Sequence, residues 1–528
     1  MTLFFEPGSA SLRGDRLVSI QGRQQSDLCG IHVVSLPQEF RVPRDVAVVA
    51  TIEGKLGWME ICHRKMVSNA AHKKSRNSIQ SCSFQRGAAR IRTGDKGFAV
   101  LCLTTWPCRR PGSKLPKTDR ISRSMPTNRL LVLSNGHGED LIARRILEPL
   151  QRLEPSLAIA VLPLVGQGSS YRQLEGISAI GPRLTLPSGG FSNQSAGGLA
   201  QDLKAGLLGN TWKQWQSLRQ WSHQGGRILA VGDLLPLAMA WASGLPYGFI
   251  GTPKSDYTWS SGPGSAWPAD TYHRCKGSEW DPWEWALMQG SHCRLVICRD
   301  RLTARGLRRH GVRALAPGNP MMDGFLPRSI PASLTGLRRL LLLPGSRAPE
   351  ARRNLRRLLK ALPPSSEHVL LLACGHQPDD ASLRALMEPL GYQTTEVPAG
   401  SDADAAWNGP GGLLLLGRGR FETWAPWAEL GLACAGTATE QLVGLGCPAL
   451  SLPGQGPQFK RGFAERQSRL LGGAVRVCQS PDALAAGLQL LLNEPQLRAE
   501  LGRIGRRRMG PAGGSLASAQ AIQHHLLP

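Results

Sequence analysis

The stretch "RLLVLSNGHGEDLIARRILEPLQRL" (residues 129–153) passes from an apolar run, through a turn of small residues, into a helix. "RLLVLS" has the short, continuous apolar character of a strand buried on both faces. After the turn, Ile142, Ile146, Leu150 and Leu153 recur at helical spacing and mark one apolar face. The same outline returns three hundred residues later in "CAGTATEQLVGLGCP" (434–448), where a glycine and two threonines stand between a strand and a helix. A parallel sheet needs such strand–turn–helix units, because each crossover must return the chain to the starting edge.

Working outward, the rhythm repeats. "LAIAVLPLVG", "GGRILAVGD" (225–233) and "CRLVICRD" (293–300) read as further strands, with "LLPLAMAWASG" and "RLTARGLRRHG" as helices between and after them. A segment loaded with Pro, Gly and Ser, "APGNPMMDGFLPRSIPASLTG" (316–336), interrupts the pattern. It then restarts with "LRRLLLLPGSR" (337–347), "EHVLLLACG", "GGLLLLG", "LGLACAG" and "CPALSLPG". Strands alternating with helices predict parallel sheets covered on both faces. The expected fold is α/β. A first Rossmann-like domain over 125–322 and a linker over 323–336 precede a second Rossmann-like domain over 337–528 that includes the terminal helix.

Residues 1–124 carry no sustained period. The basic, Ser- and Gly-rich stretch "AAHKKSRNSIQSCSFQRGAARIRTGDKGFAV" belongs to this low-order segment. Met125 is read as the working start and the preceding residues as an over-extension, the alternative being a genuine basic leader.

The 528 residues carry a formal charge of +25. Residues 1–124 hold 21 Lys and Arg against 9 Asp and Glu, and the remainder 42 against 29, so both parts are basic. Such a field suits nucleic acid, an anionic membrane surface or a phosphorylated substrate, and does not choose among them. No run approaches the roughly 18 apolar residues of a spanning helix. The start lacks the basic and then apolar pattern of a secretory signal. Twelve cysteines occur without a CxxC pair or a zinc-type Cys/His spacing, which favours free thiols in a reducing compartment.

Ligands of open parallel sheets bind beyond the carboxyl ends of the strands. Two turns there attract attention. In "PGSR", Gly345, Ser346 and Arg347 follow the first strand of the second domain. In "CAGTATEQ", Gly436, Thr437, Ala438 and Thr439 lead into a helix whose free N–H groups and dipole favour a phosphate without a metal. Arg347 is placed to neutralise a phosphate oxygen, and Glu440, one turn in, to accept from a ribose hydroxyl. An ordinary helix cap and an ordinary turn are the plainer readings of either motif alone. No Walker A and no GxGxxG occurs, which disfavours a dinucleotide enzyme.

"PGNPMMD", "PGSR" and "AGTATEQ" together resemble the lipid-A-disaccharide synthase family, most closely its related proteins of cyanobacteria. The resemblance spans roughly residues 126–525. It implies a GT-B glycosyltransferase with two Rossmann-like domains facing a cleft. It also implies a nucleotide-sugar donor, UDP-linked, in the second domain and an acceptor in the first. No metal or other cofactor is implied, and the place of action is the cytoplasmic face of a membrane. This chain departs from the family at its first turn, which reads "NGHGED" instead of an E-x-S-G-D pattern, and at "VGDLLPLA". The acceptor is thus open. The Gly-His at the first helix start resembles that of other GT-B transferases, in which the histidine removes the acceptor proton.

His137 is therefore the first candidate base, since an imidazole accepts a proton near neutral pH; an exposed turn histidine is the plain alternative. Glu139 and Asp140 lie in the helix's first turn; Asp140 is a catalytic candidate, the plain alternative being that acids are favoured there by the dipole alone. Asp233, at the end of "RILAVGD", is a second base, an orienting partner for His137, or a helix N-cap. The long loop 251–288 carries Trp259, Trp267, Trp280, Trp283 and Trp285 among basic residues and suits a membrane boundary or an apolar acceptor, or a locally packed insertion. Gln467, after "ALSLPG", stands where a sugar or phosphate could be met.

The expected partners are a nucleotide-sugar, a lipid or membrane-bound acceptor and, peripherally, a membrane surface of the cytoplasm. A sugar-nucleotide epimerase or an inactive scaffold of the same fold are the alternatives. A nucleic-acid-binding protein is disfavoured by the lack of a recognition motif. Sequence is silent on oligomeric state.

Overall fold

The computed structural model describes residues 128–183, 206–261, 268–326, 328–454 and 459–527. The low-order segment 1–124 and Trp267 lie outside them. Among the described residues the chain builds two parallel-dominated sheets, each the centre of one lobe.

The first lobe contains β1 (Arg129–Ser134), α1 (His137–Leu153), β2 (Ala158–Pro163), β3 (Ser178–Ala179), α2 (Leu207–Ser222) and β4 (Arg227–Gly232). After them come α3 (Leu234–Ala242), β5 (Tyr247–Gly251), α4 (Pro268–Lys276), α5 (Pro282–Met288), β6 (Cys293–Cys298), α6 (Arg301–Arg309) and β7 (Ala314–Leu315). All strand pairs are parallel, in the order β3-β2-β1-β4-β5-β6-β7. The chain runs outward from β1 in one direction, then returns to β4 and runs outward in the other. The order therefore reverses between β1 and β4.

The second lobe contains β8 (Arg338–Leu343), α7 (Glu350–Lys360), β9 (His368–Cys374), α8 (Asp380–Met387), β10 (Gln393–Thr395), β11 (Ala405–Gly409) and β12 (Gly412–Arg418). It continues through β13 (Leu430–Ala433), α9 (Thr437–Gly444), β14 (Ala449–Ser451), α10 (Arg461–Leu470), β15 (Val475–Val477), α11 (Pro481–Asn493) and α12 (Pro495–Met509). The order is β10-β11-β12-β9-β8-β13-β14-β15, with only β10–β11 and β11–β12 antiparallel. Here the reversal falls between β8 and β13.

The strands form because their residues are apolar throughout. Leu130 to Leu133 and Leu340 to Leu342 are fully buried, as a strand covered on both faces demands. On α1 the expected stripe is present: Ile142, Ile146 and Leu150 are buried, and Leu153 packs at the edge of the same core. The opposite face of the first sheet packs Leu131, Leu133, Phe249 and Trp280.

The last helix, α13 (Gly514–His525), does not stay with the second lobe, where the sequence reading groups it. Its Ile522 and the following Leu526 join the α1 core of the first sheet. No strand–helix alternation marks this return, so periodicity alone could not reveal it. The chain thus crosses between lobes twice, and the crossings lie side by side. A Cβ at Gly318 would come within 2.8 Å of Gly514 Cα, and Gly318 has φ +155. Asp323 of the linker accepts from Gly513 N and, at 2.6 Å, from Ser515 N, capping α13. From α1, buried Arg145 donates to Met321 O at 2.9 Å and pairs with Glu422 of the second lobe at 2.6 Å.

Candidate functional site

In open α/β sheets the crevice lies where the strand order reverses. Both reversals are lined by the turns singled out in sequence. At the first, the turn after β1 carries Asn135 to Asp140 and the turn after β4 carries Asp233. Asn135 Nδ2 donates to Asp233 Oδ1 at 2.8 Å, joining them. At the second, a Cβ at Gly345 (φ +100) would stand 3.5 Å from Cys434 O, so "PGSR" and "CAGTATEQ" are neighbours.

The two reversals face each other. A Cβ at Gly138 would lie 3.7 Å from Thr437 Oγ1. The small residues of both turns are what permit this approach.

On the first lobe, His137 is exposed at the first position of α1. Asp140, by contrast, is 2 % exposed and accepts from Ser134 Oγ at 2.6 Å, which in turn accepts from Tyr171 OH at 2.8 Å. Burial pushes its carboxyl up to about 6, against the pull of the Ser134 hydrogen bond. Asp140 is thus turned inward and braces the β1 turn, which corrects the expectation that it meets substrate. Asp233 caps α3, accepting from Leu235 N at 3.1 Å, and burial raises its carboxyl above the usual range. Glu139, which the sequence offers only as a first-turn acid, is the remaining carboxyl here. It accepts from Thr252 Oγ1 at 3.3 Å, and burial, reinforced by Asp233 and Asp140, holds its carboxyl at about 7. A carboxyl at that value can hold or release a proton at neutral pH.

On the second lobe, Thr437 is exposed and begins α9. The N–H groups of Thr437 and Ala438 belong to the first turn of that helix and have no intrahelical acceptor. Thr439 is fully buried, and its hydroxyl donates to Ala435 O at 2.7 Å. Gln467, 3 % exposed on α10, donates to Gly436 O at 2.9 Å and Ala435 O at 3.4 Å. Both were expected to meet the donor. Both instead hold the turn from behind: the Thr439 hydroxyl and the Gln467 amide nitrogen are directed to its carbonyls. Arg347 is half-buried beside Ser346, which is exposed. Glu440 reaches across the cleft to Arg299, Oε2 to Nη2 at 2.7 Å. Arg299 directly follows β6 and is a residue the carboxyl-end rule points to, yet it was not singled out in the sequence.

The tryptophan-rich insertion between β5 and β6 is mostly packed. Trp280 is fully buried, edge-on to Phe249 with centroids 5.5 Å apart. Trp285 stacks on His310 at 3.7 Å, and Trp259 Nε1 donates to Asp256 at 3.3 Å. Trp280 therefore cannot meet a membrane or an acceptor. Its indole fills the first lobe's core, where Gly251 leaves room for it. Trp283 is 51 % exposed, Trp241 52 % and Trp212 61 %, the last two on other helices of the same lobe. The insertion also docks on α10 of the second lobe through Arg466–Glu279 and Arg469–Asp270 ion pairs.

Comparison with known proteins gives structural likeness only. No protein-family model matches the chain, and no curated protein matches it. Among solved structures, the calicheamicin glycosyltransferase CalG4 is similar over 75 % of this chain and 97 % of its own, at 13 % identity and TM-score 0.48. MurG of Acinetobacter baumannii is similar over 75 % and 99 %, at 16 % and 0.43. The UDP-GlcNAc 2-epimerase of Neisseria meningitidis, bound to UDP-GlcNAc, is similar over 75 % and 99 %, at 13 % and 0.44. Two Rossmann-like lobes with their strand-order reversals facing across a cleft constitute the GT-B fold, and this chain has it.

Proposed function

We propose that the chain is a glycosyltransferase moving a sugar from a UDP-linked donor to a lipid or membrane-proximal acceptor. The observation that carries this reading is the approach of two small-residue turns, each at a strand-order reversal, with 3.7 Å between a Cβ position on Gly138 and Thr437 Oγ1. One turn offers unused helix N–H groups and the other offers groups that move protons.

The donor's diphosphate is read against the N–H groups of Gly436, Thr437 and Ala438, with Arg347 of the adjoining turn on a second oxygen. His137 takes the proton of the acceptor hydroxyl as its oxygen bonds to the anomeric carbon. The bond from that carbon to the diphosphate breaks, and its electron pair leaves with UDP. Negative charge grows on the departing phosphate, where fixed donors lower the barrier because they need no reorganisation. Glu139 and Asp233 hold the far wall of the acceptor side. Trp283, with the basic surface of the chain, gives a salt-sensitive contact with an anionic membrane.

The test is to incubate the purified protein with UDP-sugars and follow UDP release with and without lipid extract. Release that requires the extract supports the proposal. An interconverted UDP-sugar with no release would replace it by epimerisation, and no turnover at all would leave a scaffold.

A further inference from the structure

Helix α10 touches two things at once. One face meets the first lobe: Arg466 pairs with Glu279, and Arg469 with Asp270, both acids of the β5–β6 insertion. Ser261 Oγ of the insertion also donates to Arg469 O at 3.1 Å. Gln467, between the two arginines, points the other way and holds the carbonyls of Ala435 and Gly436.

Those carbonyls matter because a trans peptide is planar, with its C=O and N–H pointing in opposite directions. Holding Ala435 O from behind aims the N–H of Gly436 away from α10. Holding Gly436 O does the same for the N–H of Thr437. The side chain of Gln467 therefore sets the direction of the donors in the "AGTAT" turn.

Around Glu279 the described part of the insertion is tied to the body of its lobe. Glu279 is 2 % exposed, accepts from Thr258 Oγ1 at 2.8 Å and donates its N–H to Asp256 Oδ1 at 2.7 Å. Asp256 in turn donates its N–H to Thr303 Oγ1 on α6 at 2.9 Å. A fully connected buried network of this kind resists deformation. It fixes where Arg466 and Arg469 must sit, and hence where Gln467 sits.

We infer that the β5–β6 insertion is a positioning strap for the donor turn, with Arg466, Arg469 and Gln467 as positioning residues. Through them the acceptor lobe determines the aim of the phosphate-binding N–H groups in the other lobe. The inference rests on the donor reading above for its functional part, while its structural part stands on the contacts alone.

The test uses the full chain and four variants: Arg466→Gln, Arg466→Lys, Glu279→Gln and the Arg466→Gln/Glu279→Gln double. Amide hydrogen exchange is measured over 434–441 and, as control, over β9; UDP affinity is measured by calorimetry. Each single Gln variant should speed exchange in the turn but not in β9, and weaken UDP roughly tenfold, the equivalent of one hydrogen bond. The double variant should be no worse than either single, and Arg466→Lys should recover most of the loss. Unchanged exchange in the turn, or faster exchange with unchanged UDP affinity, overturns the inference and leaves the ion pairs as simple ties between lobes. If the wild-type protein binds no UDP, the donor reading fails by itself, and the exchange comparison still decides whether the strap sets the turn.

Discussion

Glu440 and Arg299 form an ion pair across the cleft, 2.7 Å apart, with side chains only 14 % and 10 % exposed. The carboxylate that sequence places against a ribose is therefore already engaged by an arginine of the facing lobe. A nucleotide that uses Glu440 must first displace Arg299.

This competition has opposite consequences for the two residues. Glu440→Ala should weaken UDP binding by roughly 1–3 kcal/mol if a buried hydrogen bond to the ribose is lost. Arg299→Met should strengthen UDP binding, because its competitor is gone. It should also lower stability by about 3–5 kcal/mol, since it leaves a largely buried carboxylate unpaired. Calorimetry and urea unfolding measure the two effects. Equal UDP affinity in both variants and the wild type would remove the nucleotide from this carboxylate.

His137→Ala should abolish sugar transfer and leave UDP affinity unchanged, if the imidazole serves the acceptor hydroxyl as proposed. Kinetics on the variant, paired with UDP titration, check this. Transfer at the wild-type rate would pass the role of base to Glu139.

Glu139 predicts a pH signature in stability. Its carboxyl moves from 4.5 when unfolded to about 7 in the fold, chiefly through burial. The folded state therefore binds the extra proton between those values. The contribution is fully present below pH 4.5 and is lost as pH rises through 7. Glu139→Gln should then be more stable than the wild type at pH 8, by on the order of 1–3 kcal/mol, and no more stable at pH 4. Denaturant melts at the two pH values decide it, and a difference that does not change with pH would exclude a titrating Glu139.

Gly138 tests the contact between lobes. Alanine there places its Cβ at an ordinary 3.7 Å from Thr437 Oγ1 and should be tolerated. Leucine would wedge the turns apart. Gly138→Leu should keep UDP affinity while losing transfer, with a larger radius of gyration in solution scattering. Full transfer in this variant would mean that the turns do not meet during the reaction.

The insertion separates surface from core tryptophans. Trp283→Ala should reduce capture by anionic vesicles at low salt with little change in melting temperature. Trp280→Ala should instead cost roughly 3–5 kcal/mol of stability, as a deleted core aromatic does. Vesicle sedimentation that ignores Trp283 and lipid charge would argue for a soluble acceptor.

Much of the fold could be read in the chain because buried parallel strands are continuously apolar. "RLLVLS", "RILAVG" and "RRLLLL" could hardly be anything else. "YGFIG", which became β5, escaped notice because its two glycines dilute the pattern. They are there to let Trp280 and Leu526 approach the sheet. The site was legible at the level of turns, since the carboxyl-end rule depends only on strand order. It failed at the level of side chains: the sequence around Thr439, Gln467 and Asp140 does not show which way each points, and all three point inward. Arg299 could have been found by the same rule applied to every strand end.

The paired crossings at Gly318 and Gly514, clamped by Asp323, mean that the chain leaves and re-enters the first lobe at one spot. In topological terms the second lobe is a guest inserted into a host, whose last helix the host must wait for. During synthesis the first sheet cannot complete its α1 face until all of the guest has emerged. A ribosome-bound chain ending before α13 would thus hold a finished second lobe beside an unfinished first lobe, with Leu130, Ile146 and their neighbours still seeking the cover that Ile522 and Leu526 supply.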